Sequence, residues 1–341
     1  MRFPTTCLAA LLCVAVPSRA QMPLEVPSPP VVDAASDHVV EMDTMVVSGV
    51  QPGPGMWKVS KGDRALWILG TLRPLPNDIA WLSRDVEAVL DRSQQVLEAP
   101  QVSVDAKIGI VRGLMLLPAA MKAGKNPEGA ELREVLPADL YARWAVLKQK
   151  YIGRDKGIEK KRPIVAANEL YERAIRKSGL GKRPMISPVI DAAIKRRKLK
   201  PTPTAVKIVI EDPKAAIQDF GEGGIDDIDC FRKTLGRLEN DLPLMVERAN
   251  AWAAGDIEAL RRLPYDDQQA ACFSAFSQSS VARKRGLDDL PQRMKAAWFA
   301  AAESALDKNR VTFATLPISE LLKADGYLGE LRAKGYLVEE P

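Results

Sequence analysis

The chain has 341 residues, 46% of them hydrophobic, enough to bury one large core or two smaller ones. Arg2 and Arg19 lie in a leader expected to be removed, and without them 47 basic residues face 44 acidic ones. A net +3 is too balanced to argue for nucleic acid as a partner.

Residues 1–20 read as an export signal, with Arg2 in the positive region, Cys7 to Val16 as the apolar stretch and Ser18-Arg19-Ala20 as the cleavage site. The apolar run is too short for a stop-transfer helix, and Leu12 before Cys13 breaks a lipobox. The mature protein is therefore expected to be periplasmic or secreted, cut near Ala20. Residues 21–55 carry Pro23, Pro27, Pro29, Pro30, Pro52 and Pro54 and read as a flexible linker. Within it, Asp43, Thr44, Met45, Val46 and Val47 resemble the short box by which outer-membrane receptors add a strand to TonB. A plain tail is the competing reading.

A single folded domain is expected over 56–341. Trp57 to Ser60 and Arg64 to Leu69 read as strands of a hairpin that turns at Lys61-Gly62-Asp63. Ser83 is placed to cap a helix with Val86, Val89 and Leu90 on its apolar face. A short strand over Gln95 to Glu98 completes a strand–helix–strand unit, the sign of a layered α/β fold. From Ser103 to about Arg197 the pattern is helical, with prolines at Leu136-Pro137 and Arg162-Pro163 marking helix starts.

Val206 to Ile210 reads as a second buried strand, followed by Asp212 as cap and Pro213 at the first helical position. Ile228, Phe231, Leu235 and Leu238 keep a 3.6 period. Helices follow around 257–262, 268–279 and 292–307, then a strand over Val311 to Leu316, a helix over 327–333 and a strand over 336–339. Together these predict one mixed sheet built from two similar strand–helix–strand ends, with a large helical insertion between them.

Two cysteines remain after the leader, Cys230 and Cys272, in a compartment that permits disulfides. Both fall in segments read as helical, and whether they are bridged stays open. The basic run at Lys195, Arg196, Arg197, Lys198 and Lys200 reads first as a solvated helix end, ahead of a contact with anionic lipid or polysaccharide. The six tryptophans read as core and cleft-wall residues.

Several segments resemble the TraB/GumN family, distantly related to the Tiki metalloproteases: MWKVSKGDRALWILGTLRPLP from Met56, QQVLEAP from Gln94, VKIVIEDP from Val206, NAWAAGDIEALRRL from Asn250, and the stretch from Arg293 to Val338. The resemblance implies a site of two G-x-x-H motifs, two strand-terminal glutamates and an arginine. The first motif falls on Gly70, Thr71 and Arg73, with arginine where histidine is expected. The glutamates fall on Glu98 and Glu211 and the arginine on Arg293, and these three are the catalytic candidates. The second motif falls on Pro317-Ile318-Ser319-Glu320, so its histidine is replaced as well. His38, in the linker, is the chain's single histidine.

The family's ligand set would suit zinc, manganese or cobalt at the carboxyl ends of parallel strands. An arginine cannot bind a metal, since it is always protonated and only donates. Arg73 among Glu98, Glu211 and Glu320 is thus expected to act as an internal counter-ion in place of a metal, giving a site without a cofactor. Gly70, Thr71, Arg73 and Glu320 then become candidates for ligand binding.

The function this implies is a non-catalytic envelope binding or scaffold protein with a degenerate metal-hydrolase site, taking a peptide or a glycan. The alternative is a hydrolase or protease that works through a carboxylate-based site, with a divalent metal. A histidine triad is excluded from the folded domain, and Gly221-Glu222-Gly223-Gly224 reads as a turn rather than a phosphate loop.

Overall fold

The computed structural model describes residues 49–77, 79–106, 108–181, 185–221, 227–264, 277 and 280–341. The expected export signal, most of the linker, the TonB-like box, His38, Cys272, most of the helix expected over 268–279 and residues 222–224 of the glycine-rich turn lie outside them. The described residues belong to one compact unit.

Strand β1 (Gly49–Gln51) falls in the segment that its prolines assign to a linker, yet it pairs in parallel with β5 (Ile79–Trp81). The Gly53 N–H also donates to the Ala253 carbonyl at 2.8 Å. Backbone bonding thus begins before the expected boundary at 56. Strands β2 (Met56–Lys61) and β3 (Arg64–Thr71) form the expected antiparallel hairpin. Gly62 at its turn has φ +61°, a conformation that glycine adopts without steric cost. Leu66, Ile68, Leu69 and Gly70 on β3 are all buried, as befits a strand covered on both faces. After it, β4 (Leu75–Pro76) pairs with β8 (Leu180–Gly181) in a two-residue ladder.

Helix α1 (Arg84–Arg92) buries Val86, Val89 and Leu90 as its spacing predicts. Its start differs in detail. The Ser83 hydroxyl donates to the Glu87 carboxylate instead of capping a backbone N–H. Strand β6 (Gln95–Leu97) then returns to the sheet. With β9 (Pro201–Thr202), β11 (Val311–Pro317) and β12 (Leu337–Glu339), the main sheet has the order β12-β2-β3-β11-β6-β9. Strands β3, β11, β6 and β9 run parallel, while β2 and β12 are antiparallel additions. The carboxyl ends of four strands therefore share one edge, and both ends of the chain build the sheet, as predicted.

Strand β7 (Gln101–Asp105) stands where the pattern was helical in expectation only from Ser103 onward. It pairs in parallel with β10 (Ala205–Val209) as a separate two-stranded ribbon. The expected buried strand over 206–210 is accordingly not a core strand. Val206 is buried, but Lys207 and Val209 are exposed; among the described residues β7 is the one strand paired with it.

The helical middle holds α2 (Ile110–Ala123), α3 (Leu132–Val135), α4 (Ala138–Tyr151), α5 (Pro163–Lys177), α6 (Ser187–Arg197), α7 (Pro213–Gly221) and α8 (Asp227–Asn240). Pro163 opens α5, and Asp212 caps α7 through N–H bonds from Lys214 at 3.0 Å and Ala215 at 3.1 Å. Arg162, just before α5, grips Asp227 at the start of α8 in a two-pronged pair at 2.8 and 2.7 Å. Both side chains are buried, where the fork-to-carboxylate geometry offsets much of the desolvation cost. Cys230 on α8 is disulfide-bonded, and its partner cysteine lies outside the described residues.

Helices α9 (Leu242–Ala254), α10 (Ile257–Arg262), α11 (Ser280–Lys284), α12 (Leu290–Lys308), α13 (Ile318–Leu322) and α14 (Tyr327–Ala333) complete the described chain. Trp57, Trp144, Trp252 and Trp298 are fully buried. The chain end is clamped: Glu340 accepts from Arg261 and from Arg332, the latter at 2.8 Å. Burial by itself pushes the Glu340 carboxyl up, but the Arg261 and Arg332 hydrogen bonds outweigh it and hold it below the usual carboxylate range.

Candidate functional site

The carboxyl edge of the main sheet carries the stretch from Gly70 to Arg73. Gly70 is there because nothing larger fits: a Cβ would run into Ile318 Cδ1 and stand 3.0 Å from the Trp57 ring. Its carbonyl accepts the Trp252 indole N–H at 2.9 Å. The Thr71 hydroxyl donates to the Leu316 carbonyl at 3.2 Å, tying the end of β3 to its parallel neighbour β11. Gly70 and Thr71 therefore set the backbone from which residues 72 and 73 depart. Leu72 turns into the core and Arg73 is exposed, followed by a cis bond to Pro74.

At this edge lies a cleft of about 490 Å³. The ends of β3 and β6 supply Thr71, Arg73, Leu97 and Glu98 to its wall, and β11 and β9 add Thr315 and Pro201. Helix α6 closes the other side with Ser187, Ile190, Asp191 and Ile194. Glu98 is well fixed. Its N–H donates to the Thr202 carbonyl at 3.1 Å, its carbonyl accepts from Thr204 Oγ1 at 3.0 Å, and its Oε2 accepts from Gln101 Nε2 at 2.7 Å. Charge in the described lining is carried by Arg73, Glu98 and Asp191. A guanidinium and two carboxylates over apolar walls of Leu72, Leu97 and Ile190 can bind a polar ligand with both hydrogen bonds and apolar contact.

The other candidates stand elsewhere. Glu211 is exposed at the end of the β7–β10 ribbon, outside the main sheet, and does not line the cleft. Arg293 is exposed on the first turn of α12, 3.5 Å from Asp289, with a bond to the Gly286 carbonyl at 3.3 Å. Glu320 pairs with Lys323 beside it, and the corner it belongs to is closed by Gly326. A Cβ at Gly326 would meet the Glu320 carbonyl and stand 3.0 Å from that of Lys323. Burial pushes the neighbouring Tyr327 phenol up, with Glu320 and Glu330 adding to the effect.

The expected four-member ion cluster is thus not formed. Among the described residues no ion pair joins Arg73 to Glu98, Glu211 or Glu320. The structure brings Arg73 and Glu98 to one cleft with Thr71, and leaves Glu211, Arg293 and Glu320 outside it. Trp57, Trp144, Trp252 and Trp298 are core residues, Trp67 and Trp81 pack half-buried against the core, and none of the six is part of the described cleft lining.

Sequence reasoning missed α6 as the far wall. Its apolar positions Ile190, Ala193 and Ile194, with Ile186 just before its start, repeat at helical spacing, a signal that it packs on something but not that it faces the sheet edge. Among the described residues, no three His, Cys, Asp or Glu side chains gather closely enough to hold a metal ion. The cleft's donors, two carboxylates and hydroxyls beside a permanent cation, do not fit the histidine-and-carboxylate set of the resemblance.

Comparison with known proteins agrees with the family resemblance. The model for the TraB/PrgY/gumN family matches residues 55–340. No curated protein and no solved structure matches the chain.

Proposed function

Because the chain belongs to the TraB/PrgY/gumN family over residues 55–340, we propose that it is an exported binding or scaffold protein of the cell envelope, taking a peptide or glycan into the cleft at the carboxyl edge of its sheet. One observation carries this reading. Arg73 and Glu98 line a single cleft, at positions where the resemblance puts a metal-binding histidine and its carboxylate. A guanidinium fork there matches a carboxylate or uronate in two-pronged fashion. Glu98, held by Gln101, is set to accept hydrogen bonds from amide or sugar hydroxyl donors. Leu72, Leu97 and Ile190 supply the apolar contact. No bond of the ligand is broken in this mechanism; Arg73 and Glu98 orient it, the backbone at Gly70 and Thr71 fixing the strand end that carries Arg73, and Thr202, Thr204 and Gln101 holding Glu98.

The competing hydrolase reading draws on Glu98 and Asp191 in the same cleft. A thermal-shift series separates the two. Short peptides with a free carboxyl end and uronate oligosaccharides should raise the melting temperature of the wild type, and Arg73→Ala should remove the shift. Manganese, zinc and calcium should leave the melting temperature unchanged. Stabilisation by a divalent metal that disappears in Glu98→Ala would favour the hydrolase instead. Export belongs to the same proposal, and N-terminal sequencing of the mature protein should begin at Gln21.

A further inference from the structure

Helix α2 breaks the usual division between apolar inside and polar outside. Val111, Leu114, Met115 and Met121 are 68%, 64%, 74% and 62% exposed. With Pro118 they recur at the three- and four-residue spacing that forms one face of a helix, so the exposed surface is a continuous apolar stripe. The helix is held from its far end: α2 packs on α7, where Ala123 is buried against Gly221. Neither the cleft nor the main sheet uses the stripe.

Charge tells what kind of surface could cover it. Between Asp105 and Glu128 the sequence holds Lys107, Arg112, Lys122 and Lys125 and not one acidic residue. On α2 itself the apolar stripe is accompanied by basic side chains alone, a pattern complementary to an anionic interface with an apolar interior. Pairing with a second copy about a two-fold axis would set Arg112 of one helix near Lys122 of the other, with no acid on α2 to compensate. At 14 residues the helix is about 21 Å long, too short to cross a bilayer, and none of the described helices is long and apolar enough to do so. It can lie in the plane of the interface.

We propose that α2 is an interfacial anchor that sets its Val111–Leu114–Met115–Met121 stripe into an anionic phospholipid surface. Arg112 and Lys122 contact the headgroups, and the cleft is held beside the membrane without a spanning segment. The attachment is reversible and weakens as salt screens the headgroup charge.

Co-sedimentation of the full mature chain with vesicles of phosphatidylcholine, with and without phosphatidylglycerol, tests this. The wild type should sediment with the anionic vesicles and be released by high salt. The double variant Leu114→Ser, Met115→Ser and the double variant Arg112→Glu, Lys122→Glu should each bind at least about tenfold more weakly. Both alter exposed side chains, so their melting temperatures should match the wild type. Equal binding by all three proteins, or none by the wild type, overturns the proposal. So does a concentration-dependent dimer in light scattering that the serine variant dissolves without any vesicle binding, which would make the stripe a self-association surface.

Discussion

Glu98 and Glu211 both follow a short apolar strand, yet one reaches the cleft and the other reaches solvent. The difference lies in the strands' neighbours. β6 lies between β11 and β9 in the main sheet, so the residue after it emerges at the edge shared by four parallel strands. Among the described residues β10 pairs with β7 alone, with helix α12 packed against it, so the residue after it ends a ribbon from which α2 and α7 depart. A carboxylate at a strand end belongs to a site when its strand belongs to the sheet that builds the site. The same contrast separates the tightly packed edge, where Gly70 admits no Cβ, from an arm whose helix α2 leaves its apolar face uncovered.

Substitutions should divide along this line. The largest effect is expected at the edge, from Trp252→Ala, which empties a fully buried site and removes the bond to the Gly70 carbonyl. It should cost about 3–5 kcal/mol in urea unfolding. Next, Cys230→Ser should cost about 2–5 kcal/mol by losing a cross-link of α8, with reductant lowering the wild type by a similar amount and the variant not at all. Gly70→Ala should cost about 1–3 kcal/mol, since Ile318 and Trp57 must move to admit a methyl group.

A smaller effect comes from pH. The Glu340 carboxyl is held low in the folded state, so its stabilising contribution is complete above its unfolded pKa and is lost as pH falls through the lower folded value. Below about pH 4, the difference in stability between wild type and Glu340→Gln should shrink from at most about 1 kcal/mol towards zero. The smallest effects belong to the arm: Glu211→Ala and Met115→Ser should stay within about 0.5 kcal/mol of the wild type. A large loss of stability from either would mean that the arm is packed more closely than its exposure shows.

Much of the fold was legible because local chemistry and tertiary packing agree. Gly62 marks the hairpin, Asp212 and Pro213 start α7, and Phe231, Leu235 and Leu238 give the buried face of α8. The ribbon was not legible, because β7 alternates only weakly: in Gln101–Asp105 no residue is fully buried, so apolar periodicity had little to record. For the candidate site, Thr71, Arg73 and Glu98 could be read from the motif, since they stand at the carboxyl ends of β3 and β6, parallel strands of one sheet with β11 between them. Glu211 and Glu320 could not be sorted from spacing. Their positions depend on which strand pairs with which, and on the corner that Gly326 closes after α13. The wall supplied by α6 comes from a distant part of the chain and carries no charge pattern pointing to the sheet edge.

Metal content after dialysis is the measurement that bears most directly on the cleft's chemistry. If Arg73 and Glu98 form a ligand-binding site in place of a metal centre, the purified wild type should carry far less than one divalent metal per chain and should match Glu98→Ala. One equivalent of manganese, zinc or cobalt retained by the wild type and lost in Glu98→Ala would contradict it.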